Sequence, residues 1–172
     1  MCLTSASGCS SRRGFLERGD GFFERIFIVY MQLRKVVLLY TRKMLKAIHH
    51  AAIICSDYET SKKFYTQVLG LTQIAEHYRA ERDSYKLDLV TADGGAVELF
   101  SFPNPPKRPS YPEAAGLRHL AFAVEDVEKA KQHLEAHGVD VEPIRIDEYT
   151  QQRFTFFQDP DGLPLELYEV KK

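Results

Sequence analysis

The stretch AIHHAAIICSDYETSKKFYTQVLGL (47–71) joins a short apolar run bearing histidine to a helical pattern that stops at glycine. A second stretch, LRHLAFAVEDVEKAKQHLEAHGV (117–139), repeats the design. In each, an Asp lies seven residues after the His, His50 to Asp57 and His119 to Asp126. Such an Asp is a good helix N-cap, because its carboxylate accepts from free amides of the first turn. Tyr58, Phe64, Tyr65, Val68 and Leu69 then recur at helical spacing, and so do Val127, Ala130, Leu134 and Ala136. Gly70 and Gly138 are placed to end the two helices.

Working outward, three strand patterns follow each helix. After the first come LTQIAEHYR (71–79), SYKLDLVTA (84–92) and AVELFSF (96–102). After the second come VDVEPIRI (139–146), RFTFFQD (153–159) and PLELYEV (164–170). Tyr85, Leu87 and Leu89 alternate with Lys86 and Asp88, as a half-buried strand requires. Asp93-Gly94-Gly95 and Asp159-Pro160-Asp161-Gly162 read as matching turns. Each copy is therefore β-α-β-β-β, and the fold class is α+β, two βαβββ modules at 46–102 and 116–170. The joint FPNPPKRPSYPEAAG (102–116) carries five of the eight prolines and is too rich in proline for regular structure.

The repeat also carries chemistry. Val97-Glu98-Leu99-Phe100 and Leu165-Glu166-Leu167-Tyr168 put a Glu at the same place in the last strand of each copy. His50 precedes Glu98 by 48 residues, and His119 precedes Glu166 by 47. A lone His on an apolar strand is usually a core residue, and a lone Glu is usually the wet face of an edge strand. Recurrence at matched places in two copies argues instead for a shared role. If the halves pack about a pseudo-two-fold, the four groups can meet at one point. Two imidazoles and two carboxylates suit one divalent ion such as Zn, Ni, Co, Mn or Fe, with positions left open for substrate. His49 points to the opposite strand face from His50, and the matched Asp selects His50 as the ligand.

Composition narrows the alternatives. Residues 44–172 hold fifteen Lys/Arg against twenty-one Asp/Glu, a net of −6, which disfavours nucleic acid as partner. Residues 1–43 hold eight against three, a net of +5, around two apolar patches too short to span a membrane. They read as an N-terminal leader or as a start placed too early, with Met44 the natural start. Of Cys2, Cys9 and Cys55, only Cys55 lies in the main body, so a disulfide framework is excluded there and a reducing, cytoplasmic setting fits. Cys55, within AAIIC, reads as a small buried hydrophobe.

The segments HAAIICSDYETSKKFYTQVLG, GLRHLAFAVEDVEKA and FFQDPDGLPLELYE resemble the vicinal oxygen chelate superfamily over about residues 46–170. That family includes glyoxalase I, methylmalonyl-CoA epimerase, fosfomycin-modifying transferases and extradiol dioxygenases. The resemblance implies a glyoxalase/bleomycin-resistance-type open cup around a metal held by His50, Glu98, His119 and Glu166. It also implies a homodimer and a small-molecule substrate chelated through vicinal oxygens. The full four-ligand set leans toward glyoxalase I-like lyase or isomerase chemistry, with Glu166 or Glu98 as the base. The alternatives are a transferase or dioxygenase of the same superfamily, or a non-catalytic resistance-type binding protein. Arg79, Arg82, Arg108, Tyr149 and Arg153 are candidates for substrate binding, and each also reads as a solvated surface group. The spacing leaves open whether one chain closes the site or two chains share it.

Overall fold

The computed structural model describes residues 45–170, so the expectations placed on 1–43 lie outside the described residues. The first module runs β1 (His50–Cys55), α1 (Tyr58–Lys63), β2 (Thr72–Arg79), β3 (Ser84–Val90) and β4 (Ala96–Ser101). The second runs β5 (Leu120–Val124), α2 (Val127–Ala136), β6 (Arg145–Ile146), β7 (Arg153–Gln158) and β8 (Pro164–Glu169). Each module builds one four-stranded sheet, in the orders β1-β4-β3-β2 and β5-β8-β7-β6. In both, the first strand runs parallel to the last, and the other pairings are antiparallel. The architecture is thus the pair of βαβββ modules expected from the repeat.

The helix starts follow the expected chemistry. Asp57 accepts from Thr60 N–H at 3.0 Å, and Asp126 accepts from Glu128 and Lys129 N–H at 3.0 and 3.2 Å. Gly70 and Gly138 take φ of +72° and +77°, the left-handed conformation that glycine adopts without steric cost. Helix α1 departs from a plain helix. After Lys63 it widens into a π turn over Phe64–Val68, closed by Leu69 N–H donating to Phe64 O at 2.9 Å.

The pattern at 139–146 forms less strand than its alternation suggests. Only Arg145 and Ile146 pair as a strand, with a single bridge at Val141. Pro143 lies between them, and with no N–H it interrupts the ladder.

Each sheet has a helix face and an open face. Leu87, Leu89, Val97 and Leu99 fill the first module's helix face, and Leu165, Leu167 and Phe157 fill the second's, all at 5% exposure or less. Burying each such side chain is worth roughly 1.5–3 kcal/mol, so this face anchors the fold. Cys55 belongs to this core, as expected, and burial pushes its thiol up to about 11. Between modules, Tyr65 O–H donates to Asp159 at 3.0 Å, and Ser56 N–H donates to Asp161 at 2.9 Å. No helix among the described residues is long and apolar enough to cross a membrane.

Candidate metal centre

Strand pairing decides which side chains share the open face. On β4, Val97 and Leu99 point to the core, so Glu98 and Phe100 point the other way. On β1, Ile53 and Cys55 are buried, so His50, Ala52 and Ile54 share the face of Glu98. On β3, Asp88 pairs with Glu98 and Lys86 with Phe100, which brings both onto that face. The second module repeats the plan. Glu166 and Tyr168 on β8, His119 and Ala121 beside them, and Phe154 and Phe156 on β7 share one face.

Each histidine meets the glutamate of its own module. His50 Nε2 lies 3.6 Å from Glu98 Oε2, and His119 Nε2 lies 3.0 Å from Glu166 Oε2. Two ligands bound at about 2.1 Å, 90–110° apart, sit about 3.0–3.4 Å from each other, so the His119–Glu166 pair is spaced as two neighbours on one ion and the His50–Glu98 pair stands slightly wider. The donor types fit a borderline or hard divalent cation. His49 contacts the far nitrogen of His50, Nδ1 to Nδ1 at 2.9 Å, so Nε2 is the atom turned to Glu98. The Phe156 and His119 rings meet edge to face, with centroids 5.2 Å apart, a contact that helps fix that imidazole. Among the described residues, no group of three or more His, Cys, Asp or Glu gathers as a metal would need.

The two carboxylates differ in their company. Lys86 Nζ lies 3.0 Å from Glu98 Oε1 and also contacts Asp88. Glu166 is 8% exposed, and Phe156 stands opposite it in the ladder. Lys86 and Asp88 were legible only as the wet side of an alternating strand. Their closeness to Glu98 comes from β3–β4 register, which the sequence does not state.

The other candidates separate clearly. Arg79 lies on the open face, its guanidinium 4.9 Å from the Phe100 ring centroid. Arg82 ends the 3₁₀ turn Ala80–Arg82 beyond β2. Arg108 bonds Ser110 Oγ at 3.2 Å and the Leu117 carbonyl, tying the proline-rich joint to the start of the second module. Tyr149 is 88% exposed in the turn that Asp147 caps. Arg153 points to the helix face, where it pairs with Glu169 at 2.5 Å, away from Glu166. Its place at the start of a phenylalanine-rich strand suggested substrate contact, but strand alternation gives the open face to Phe154 and Phe156 instead.

The model of the glyoxalase/bleomycin resistance protein/dioxygenase superfamily matches residues 47–167. The chain belongs to this superfamily. Within the superfamily it is similar to Escherichia coli (strain K12) YaeR, at 62% identity over 125 residues, which cover 73% of this chain and 97% of that protein. The crystal structure of a glyoxalase family protein from Enterococcus faecalis shares the fold with a TM-score of 0.68 and 48% identity, over 73% of this chain and 98% of that one. The 2-epi-5-epi-valiolone epimerase of an Actinomyces species is 31% identical over 145 residues, 72% of this chain and 79% of that protein.

Proposed function

We propose that the protein is a metal-dependent lyase or isomerase of the glyoxalase I type, acting as a homodimer. Its site takes His50 and Glu98 from one copy and His119 and Glu166 from the other. The observation that carries this reading is the matched pair of His–Glu contacts, 3.6 and 3.0 Å, held at equivalent register but not gathered within one chain. Each pair is half of a four-ligand set. Beside each pair, the open faces of the edge strands are uncovered. Ile54 is 55% exposed, and Ala52, Ala121 and Ala123 are exposed too. A second copy would cover these apolar faces and complete the set. Superfamily membership and the 31% identity to an epimerase support the reaction class.

The substrate is a small molecule with two neighbouring oxygens. A divalent ion bound there would draw charge from a carbonyl and stabilise an adjacent oxyanion. The chain's own carboxylates then divide the remaining work. Lys86 holds Glu98 through Oε1. No lysine or arginine reaches Glu166 among the described residues, and its ion contact is His119. Glu166 is therefore the carboxylate free to take a proton beside the carbonyl and return it, a general-base role.

The test is metal content after repletion with Zn, Ni, Co, Mn or Fe, followed by turnover of hemithioacetals, 2-methyl-branched acyl-CoA epimers and fosfomycin. Retention of one ion per pair of half-sites with turnover of the first or second class is the expected result. Failure to retain any ion sinks the proposal. Turnover of fosfomycin alone moves the protein to the transferase class.

A further inference from the structure

Arg79 ends β2 on the open face of the first module. Pairing of His77 with Lys86 and of Arg79 with Ser84 sets its side chain diagonal to Lys86. Its guanidinium lies 4.9 Å from the Phe100 centroid and 5.5 Å from that of Phe102, two rings nearly parallel at 14°. One Nη donates to Ser84 Oγ at 2.6 Å. Nε is buried with no hydrogen-bond partner, and among the described residues no carboxylate lies within 4.0 Å of the group. The Lys86 ammonium lies 5.9 Å from the same Phe100 ring. Two cations thus flank one aromatic ring beside Glu98, and one of them has no counter-charge.

The second module is built differently at the matching places. Phe154 and Phe156 stand where Lys86 and Asp88 stand in the first. Arg145 lies 5.1 Å and 5.4 Å from the centroids of those phenylalanines, but its charge is met by Glu142 at 2.9 Å. Arg118 also lies 5.9 Å from the Phe156 ring, so both halves set guanidinium groups against phenylalanine, and the halves differ in that the first adds Lys86, itself paired with Asp88 and Glu98, where the second has phenylalanine. A partly buried guanidinium with an unused donor is an unsatisfied group, and a planar fork of this kind matches an oxyanion.

We propose that Arg79 and Lys86 form an anion-binding wall at the His50–Glu98 half of the site. The substrate carries, apart from the oxygens that meet the metal, a separate carboxylate or phosphate that this wall receives. Its less polar end lies toward Phe154, Phe156 and Tyr168. This placement rests on the metal-site reading, while the wall itself does not.

The experiment compares malate with lactate by calorimetry on metal-loaded, full-length protein. The two share an α-hydroxy acid chelate, and malate adds one carboxylate. Malate is expected to bind about tenfold tighter or more, the value of a charge-assisted hydrogen bond. Arg79→Met lowers malate to the level of lactate at unchanged metal content. Arg79→Lys, which keeps charge over the rings, retains part of the preference, as an unfolded variant would not. Equal affinities in the unaltered protein, or a full preference surviving Arg79→Met, overturns the proposal. Should no metal load, inorganic phosphate titrated into the metal-free protein reads the wall alone. Saturable binding lost in Arg79→Met supports it, and absence of binding overturns it. The two readings therefore fail in separate arms.

Discussion

Lys86 Nζ sits 3.0 Å from Oε1 of Glu98, the oxygen other than the one His50 faces. The ammonium thus holds a proposed ligand carboxylate while adding positive charge beside the proposed ion. Like charges a few ångströms apart repel even in a solvated site. Lys86→Met is expected to tighten divalent-ion binding by about three- to tenfold, read by competition with a chelating dye. Weaker binding would mean that the lysine serves chiefly to orient Glu98.

Glu166→Gln keeps the shape of the side chain and removes its ability to take a proton. Loss of a general base typically costs about 10²–10⁴-fold in rate. Turnover of the substrate found in the panel should fall by that amount, while circular dichroism stays that of the parent. Glu98→Gln should instead act mainly through loss of bound metal. Equal rate losses at equal metal occupancy in the two variants would remove the assignment of Glu166.

Complementation checks the sharing of the site between chains. His50→Ala damages one half-site and His119→Ala the other. In a mixed dimer, one composite site inherits both faults and the other inherits none. Mixing the two inactive variants, with unfolding and refolding to exchange chains, should restore metal binding and turnover to about half per mixed dimer. Restoration is impossible if each chain closes its own site.

Tyr65 and Asp159 join the modules in the core, with the hydroxyl donating at 3.0 Å. Tyr65→Phe should cost about 1–2 kcal/mol in denaturant melts, the value of a buried hydrogen bond to a carboxylate. Burial raises the pKa of Asp159 above the ordinary carboxylate value, against the pull of bonds from Leu163 N–H and Tyr65. A raised acid favours the protonated fold. Its contribution is complete below the unfolded pKa and is lost as pH rises through the folded one. Asp159→Asn should remove that part of the pH dependence, seen as a flatter midpoint profile above pH 4.

Arg153 answers Glu169, which is 4% exposed and also accepts from Val127 N–H at the start of α2. Arg153→Met should lower the thermal midpoint and leave metal content and malate affinity as they were. A change in ligand affinity without loss of stability would return this residue to the substrate candidates.

The repeat, the two helices and the His–Glu pairs were legible in the sequence because each rests on local chemistry. Asp57 and Asp126 cap within one turn, and Gly70 and Gly138 end helices where a left-handed residue is needed. What was not legible depends on pairing between distant strands. Lys86 looks like any solvated residue until β3 is set against β4. Arg153 looks like a cup residue until alternation along β7 gives Phe154 and Phe156 the open face. The strand read at 139–146 fell short because one proline outweighs the alternation around it. Whether three or more such groups gather within one chain is a matter of how the modules meet, which no spacing along the chain encodes, and among the described residues none do.

The replacement of Lys86 and Asp88 by Phe154 and Phe156 between the two copies has a stereochemical consequence. A site made from two identical halves would present the same surroundings to a reacting carbon turned end for end. It would accept a substrate in two equivalent orientations. Divergence of the repeat breaks that equivalence, so a bound molecule has a fixed head and tail. In the proposed reaction, the hydrogen facing Glu166 is then always the same one.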